Sequence, residues 1–267
     1  MRRFVQSVAA ITALTATASA QPALPPAPLE TSMSGWSVLA GYQVFALRDI
    51  SRSGRPPDAS PVSWRGSGPS VVGRYDIFRA RSSHAIEVTA ARARDFSYVG
   101  PTRSTAALAS DLAGYFAGTY EYRRYPWRNV WFDGLDIAVG AQGLATRTGF
   151  DRHITQALAT RTRITGAGFA GVIAIGLRRF ERLHVDASWS NGAVRSHRTT
   201  RHSSNGEAEG YSGGNWLSNI VVRVDWRVTR TTRLAGAWRR AYDGYSSSHY
   251  SYAGHRHAIE LGVSYAR

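Results

Sequence analysis

From Trp36 to the end of the chain, apolar and polar residues alternate with a period of two over many short stretches. This period is typical of β strands, in which successive side chains point to opposite faces. In residues 219–228 one face is apolar and the other is polar or charged: Ile220, Val222, Val224, Trp226 and Val228 against Asn219, Arg223, Asp225 and Arg227. The pattern predicts an all-β chain of antiparallel strands, each with one apolar face.

About ten segments of this kind are predicted, and the pattern allows eight to twelve. They are 36–48, 70–80, 84–98, 111–123, 130–145, 162–177, 183–190, 216–228, 233–242 and 256–266. Short connections, such as Arg81–Ser83, alternate with long ones at 49–69, 99–110, 146–161, 191–215 and 243–255. Short periplasmic turns alternating with long outer loops are typical of bacterial outer-membrane β-barrels, and this topology requires an even number of strands.

Aromatic residues lie on the apolar face near many predicted strand ends: Trp36, Tyr42, Tyr120, Tyr122, Trp131, Trp189, Trp226, Trp238 and Tyr265. In a soluble barrel of this size the charged face would be outside and the apolar face inside. Aromatic residues near the strand ends are instead typical of the girdles at the two membrane interfaces, although aromatics in the core of a soluble sandwich would give a similar pattern. We therefore expect the apolar face to contact lipid.

The chain resembles the small bacterial outer-membrane β-barrel proteins over nearly its whole length. Such proteins commonly end in an aromatic residue preceded by apolar residues at alternate positions, which the outer-membrane assembly machinery recognises. Ile259, Leu261, Val263 and Tyr265 fit that signal, although Ala266 and Arg267 follow the aromatic residue. The resemblance implies an antiparallel up-and-down transmembrane barrel over residues 35–267, with the assembly machinery as a partner.

The N-terminus has the features of a secretory signal peptide. Arg2 and Arg3 precede an apolar run from Val8 to Ala18, and small residues before Gln21 form a cleavage site. We expect cleavage near Ala20, which leaves 21–34 as a periplasmic segment and places the mature protein in the cell outer membrane.

The charge is strongly positive, at +15 with a pI near 10.9, and all 33 basic residues are Arg because the chain has no Lys. This balance fits either phosphate binding by guanidinium groups or a GC-rich genome. For an exported protein the nearest polyanion is lipopolysaccharide, so outer-membrane lipid and lipopolysaccharide are the expected partners, and nucleic acid is not. The basic segment Asn191–Asn215 is expected to be a mobile loop that can lie on lipid phosphates. The chain also has no Cys, and we expect no metal site or cofactor.

The inward strand faces are predicted to carry charges of both signs: Arg74, Asp76, Glu87, Glu121, Arg123, Asp136, His184, Asp186, Arg223, Asp225, Arg227, Arg239 and Glu260. A barrel of about ten strands is only a little wider than the eight-stranded kind that side chains fill. These charges therefore form either a paired polar plug or the lining of a narrow passage. We expect a non-enzymatic barrel with a structural or surface-interaction role, or a narrow pore.

An outer-membrane hydrolase is the alternative. Ten is also the strand number of the omptin proteases, which carry acidic and histidine residues at the outer rim, but no omptin motif is recognisable here. The candidates are His184 with Asp186 on one strand face, and Asp151 with His153 in the third long loop. A base and its orienting carboxylate must lie within hydrogen-bond reach. A lipid A-modifying enzyme, with Ser251 and His257 as its nucleophile and base, is a further possibility of this class.

Overall fold

The computed structural model describes residues 34–51, 62–79, 81–99, 112–128, 134–155, 158–179, 182–202, 206, 208–246 and 250–266. The predicted signal peptide and nearly all of the periplasmic segment lie outside these residues, as does Trp131. No helix in the described part of the chain is long and apolar enough to cross a membrane.

Ten antiparallel strands form a closed barrel, which confirms the predicted fold class and strand count. The strands are β1 (Gly35–Ser51), β2 (Val62–Arg79), β3 (Ser82–Val99), β4 (Leu112–Trp127), β5 (Leu135–Thr155), β6 (Leu158–Arg179), β7 (Leu183–His202), β8 (Ala208–Arg227), β9 (Thr232–Ser246) and β10 (Tyr250–Ala266). Each pairs with its neighbours in sequence. The first and last strands close the barrel along a ladder from Gly35 opposite Ala266 to Ser51 opposite Tyr250. No described strand therefore leaves its edge unpaired along that seam.

At one end of the barrel, tight turns connect neighbouring strands. Backbone bonds such as Val228 N to Thr232 O, at 3.0 Å, hold the turn between β8 and β9. Gly134 enters β5 with a φ of 94°, a conformation that favours glycine because it has no Cβ. The first and last strands also begin and end at this edge. By the usual topology of such barrels this is the periplasmic end.

The outward face is apolar around the lower part of the barrel. Trp36 is 47% exposed, and its ring stacks on that of Tyr265 at 6.0 Å between centroids. Tyr75 lies opposite Trp36 in the ladder, so three aromatic side chains from three strands lie side by side. Higher on the same face lie Val38, Val71, Val88, Ile173, Ile220, Leu261 and Val263, all exposed. In water such a surface would be very costly, whereas in lipid it is the expected outer surface of a barrel.

The strands are longer than the sequence predicted, and four of the five predicted long loops lie mostly in strands, among them 49–69 in β1 and β2 and 243–255 in β9 and β10. Most of 146–161 belongs to β5 and β6, and most of 191–215 belongs to β7 and β8. A membrane crossing takes about 9–11 residues, but β6 has 22, about 70 Å at 3.3 Å per residue. The barrel wall therefore continues beyond the membrane on the outer side. There the outward face can meet water and need not be apolar, so the apolar alternation on that face ends while the backbone pairing persists.

Arg placed at mid-depth on the outward face is expected to cost more than Arg placed at the girdle. Leu261 is 69% exposed and lies four residues from Tyr265 on the same strand and face. Leu261→Arg should lower the free energy of unfolding in lipid vesicles by about 2–4 kcal/mol, and Tyr265→Arg by about 0–1 kcal/mol from its lipid exposure. Urea unfolding of both variants in vesicles measures the difference. Equal losses would show that this face does not contact the hydrocarbon.

Candidate functional site: the charged lumen

Charged side chains fill the lower lumen, and they come from alternate positions that point inward. In β3, Glu87 is buried while its neighbours Ile86 and Val88 are exposed on the outside. The same alternation places Asp225 inward between Val224 and Trp226. The sequence thus sends charge to one face and apolar surface to the other, strand by strand.

The most buried charge is Glu260, whose side chain is 1% exposed. Arg239 Nε donates to Glu260 Oε2 at 2.7 Å from the adjacent strand. The rest of its guanidinium reaches across the lumen to Glu87 on β3, at 2.7 Å and 2.9 Å to the two carboxylate oxygens. Ser70 donates to the second oxygen of Glu260 at 3.4 Å. One Arg therefore neutralises two acids from strands that are three apart around the barrel, and its contact with Glu87 has the bidentate geometry that makes such pairs strong.

A second group of charges lies nearer the periplasmic end. Arg123, with a side chain 5% exposed, donates to Glu121 at 2.7 Å and to Asp186 on β7 at 2.8 Å. Arg74 contacts Asp76 at 2.8 Å, and both Glu87 and Glu121 at 3.5 Å. The two groups are thus one connected network, because Glu87 belongs to both.

Arg223 forms a third group of polar contacts in the lower lumen. Its guanidinium donates hydrogen bonds to both carboxylate oxygens of Asp225, at 2.8 Å and 2.9 Å, and to Ser37 on β1 at 3.1 Å. Ser264 donates to the same Asp225 at 3.2 Å. The hydrogen bonds therefore link β8, β10 and β1 through the interior.

Two cavities remain in the lumen, and both are small. The lower one, of about 120 Å³, reaches from Gly35 and Trp36 to the network, and the upper one, of about 80 Å³, lies above it. At about 30 Å³ per water molecule, each holds a few waters. Four residues line both cavities and so form the wall between them: Glu87, Gln142, Asn219 and Arg239. In the described part of the barrel, these side chains occupy the lumen between the two cavities.

The other predicted lumen residues lie at the lower end. Asp136 is 6% exposed and lines the lower cavity. Arg227 is half-buried beside the last turn, and its backbone lies opposite that of Arg233 in the ladder. Gln142 in the wall was not singled out from the sequence, although its inward position in a predicted strand could have identified it. Arg256 was also missed. Its guanidinium lies 3.5 Å above the ring of Tyr115 in the upper lumen.

The candidate catalytic pair His184 and Asp186 does not lie at the outer rim. His184 and Asp186 line the lower cavity near the periplasmic end, and Asp186 is held by Arg123. Asp151 and His153 belong to β5 rather than to a loop, where their backbones pair with Arg161 and Ala159. Their side chains lie outside the described part of the structure.

The described histidines and acids of the outer region have other contacts. Asp243 accepts a hydrogen bond from Asn215 Nδ2 at 3.2 Å, and His197 Nδ1 lies 3.0 Å from Ser212 Oγ on the outward face. In the described residues no group of three or more His or acidic side chains could hold a metal ion.

Comparison with known proteins gives structural likeness only. Neither the family models nor the curated protein sequences match this chain. Among solved structures, the outer membrane protease OmpT from Escherichia coli has a TM-score of 0.63 at 11% identity, covering 93% of this chain and 99% of that one. OprG from Pseudomonas aeruginosa has a TM-score of 0.43 at 8% identity, covering 88% and 97%. At these identities the likeness to OmpT concerns the fold, which is that of the small outer-membrane β-barrel proteins.

Proposed function

We propose that this protein is a closed, non-enzymatic barrel of the bacterial outer membrane with a structural or surface-interaction role. The supporting observation is the Arg239 layer, in which one guanidinium spans the lumen between Glu87 and Glu260. A pore would need free space here, whereas these side chains meet and are paired. An unpaired charge in the desolvated interior is costly, so these ion pairs are expected to stay formed.

The part of the barrel beyond the membrane is the surface that would meet partners. β7 carries Arg195, His197 and Arg201 outward on this extension, and Arg198 points inward to Thr200. A paired sheet presents these groups at fixed positions, unlike the mobile loop expected from the sequence. Outer-membrane lipid and lipopolysaccharide are the proposed partners, since Coulomb attraction draws a basic surface to a polyanion.

The route to the membrane is part of the proposal. Export by the signal peptide, with cleavage near Ala20, stays a prediction, as does recognition of β10 by the assembly machinery. Ile259, Leu261, Val263 and Tyr265 all face outward, which is the arrangement that such recognition needs.

Purified protein in planar lipid bilayers is expected to give no steady conductance, because the wall between the two cavities blocks the lumen. A known open porin, reconstituted in parallel, controls for insertion, and protease protection confirms that the test protein has inserted. Stable, ion-selective channels from the unmodified protein would contradict the closed barrel and favour the narrow pore.

The hydrolase alternative has one point in its favour, the fold shared with a protease. At 11% identity, that likeness does not identify any catalytic residue in this chain. In the described residues, Asp186 forms an ion pair with Arg123, and Asp243 accepts a hydrogen bond from Asn215. Cleavage of peptide or lipid A by the same preparation would support an enzyme over the structural barrel.

A further inference from the structure

Charge is segregated between the two faces of the barrel wall. The acidic side chains that the structure describes all occupy inward positions: Asp76, Glu87, Glu121, Asp136, Asp186, Asp225, Asp243 and Glu260. The charged residues described on the outward face are Arg and His. Going up each strand, the first outward charge above the apolar belt is Arg65 on β2, Arg92 on β3, Arg147 on β5, Arg163 on β6, Arg195 on β7 and Arg240 on β9. Outward arginines above the belt therefore lie on six of the ten strands, where an anion outside the barrel can meet them.

Four of the outward arginines converge on one groove of about 730 Å³ on the outer surface of β2–β6, where Arg92, Arg147, Arg161 and Arg163 line its upper part. The groove exists because its floor has no side chains. Gly114 and Gly149 lie opposite each other in neighbouring strands, and a Cβ at either would meet nothing within 4 Å.

The ladder fixes the positions of the charges around this floor. Arg92 pairs with Gly114, Gly114 with Gly149, and Gly149 with Arg163, so one row carries Arg, Gly, Gly, Arg. At about 4.8 Å between strands, the two Arg backbones are about 14 Å apart. Arg147 lies two residues from Gly149 on the same face. The groove thus offers cations at both ends of a recess rather than one cluster.

The lower part of the groove is apolar and continues into the lipid belt. It is lined by Val71, Ala90 and Phe116, with Phe116 directly opposite Arg147 and Ala90 in the ladders. Phe116 is 50% exposed. His84 on β3 and Ile137 on β5 lie near the periplasmic ends of their strands. From there, Arg92 is eight residues up β3 and Arg147 is ten residues up β5. Both distances are close to the length of a strand that crosses the membrane. The groove is therefore at the level of the outer-leaflet headgroups.

We propose that this arginine groove binds one phosphorylated, multiply acylated glycolipid of the lipid A type, with its sugar headgroup over Gly114 and Gly149. Its two phosphates would pair with the arginines at the two ends of the row, since guanidinium groups bind phosphate bidentately. Its acyl chains would descend over Phe116, Ala90 and Val71. This inference rests on the outer-membrane placement of the proposed function and names a specific site within it.

Native mass spectrometry of the folded barrel in detergent micelles, titrated with bisphosphorylated lipid A, measures the binding. The triple variant Arg92→Gln, Arg147→Gln, Arg163→Gln should weaken it by about ten-fold or more, because charge-assisted bonds are lost. The matched control is Arg65→Gln, Arg124→Gln, Arg240→Gln, which removes the same charge from outward positions outside the groove and should change affinity by less than about two-fold. Equal losses in the two triple variants would overturn the site.

Shape and ligand are tested separately from charge. Gly149→Leu fills the floor while keeping every arginine, and it should weaken lipid A binding, whereas Gly73→Leu, an equally open outward glycine on β2, should not. Lipid A with one phosphate should bind more weakly than lipid A with two, and phosphatidylglycerol should bind more weakly than either. Full affinity in Gly149→Leu, or phosphatidylglycerol binding as tightly as lipid A, would overturn the proposal. If lipid A does not bind, the proposal of a closed lumen still stands, because the conductance measurement tests it independently.

Discussion

Arg239→Met is expected to lower the free energy of unfolding in lipid by about 3–5 kcal/mol, the usual loss when one partner of a buried charge pair is removed. The variant keeps a long side chain, so the main change is electrostatic. Glu260 is 1% exposed and, among the contacts of the described residues, would keep the hydrogen bond from Ser70. Glu87 would keep Arg74 at 3.5 Å. The loss therefore comes mainly from Glu260, a buried carboxylate without a compensating cation.

Urea unfolding of the protein in vesicles, followed by the fluorescence of its eight Trp residues, measures this loss. Adding Glu260→Gln to Arg239→Met should restore most of the stability, because the orphan charge is then gone. Arg256→Met is a control in the same lumen, since the guanidinium of Arg256 stacks on the ring of Tyr115. Losing that contact should cost about 0.5–2 kcal/mol. If Arg239→Met and Arg256→Met lose the same stability, the network does not hold the barrel together.

The sequence predicts the fold well because a barrel in lipid imposes a simple rule on every strand. Within the membrane each strand must be apolar outside, and a narrow lumen must be filled with polar side chains that can pair. Residues 219–228 show both halves of the rule, and the structure places Val224 outside and Asp225 inside. The rule also finds the closing strand, because β10 has the same alternation.

The same rule explains the errors in the strand ends. Above the membrane the outward face no longer needs to be apolar, so β7 changes from Trp189 to Arg195 and His197 without any change in backbone pairing. A pattern of hydrophobicity does not detect a strand whose outward face is charged and whose inward face mixes apolar and polar residues, as Val194 and Ser196 do here. Residues 191–202 were therefore predicted to be a loop, and the extramembrane wall was missed.

Individual ion pairs were beyond prediction for a different reason. The sequence identifies which side chains enter the lumen, but partners on opposite walls depend on barrel closure and strand tilt. Arg239 and Glu87 are 152 residues apart in sequence and four strands apart around the barrel. Likewise, the arginine groove needs Gly114 and Gly149 to lie opposite each other, which only the register between β4 and β5 decides.

Removing the wall between the two cavities should turn the closed barrel into a conducting one. The variant Glu87→Ala, Gln142→Ala, Arg239→Ala, Glu260→Ala deletes three of the four residues that line both cavities, together with the acid that Arg239 pairs with. Arg74 keeps Asp76 at 2.8 Å, so its charge stays compensated. The vacated space is polar and joins cavities of about 120 Å³ and 80 Å³, so water should fill it. A continuous file of water through the barrel permits ions to pass.

Planar bilayers should show small, steady conductance steps for this variant and none for the unmodified protein. The control Thr89→Ala, Thr119→Ala, Thr146→Ala enlarges the upper cavity and leaves the wall intact, so it should remain silent. Folding of each variant is checked by its resistance to unfolding in detergent at room temperature. If the four-residue variant is folded and inserted but does not conduct, the barrel is closed elsewhere, at the lower network of Arg74 and Arg123. That would move the barrier from the Arg239 layer toward the periplasmic end.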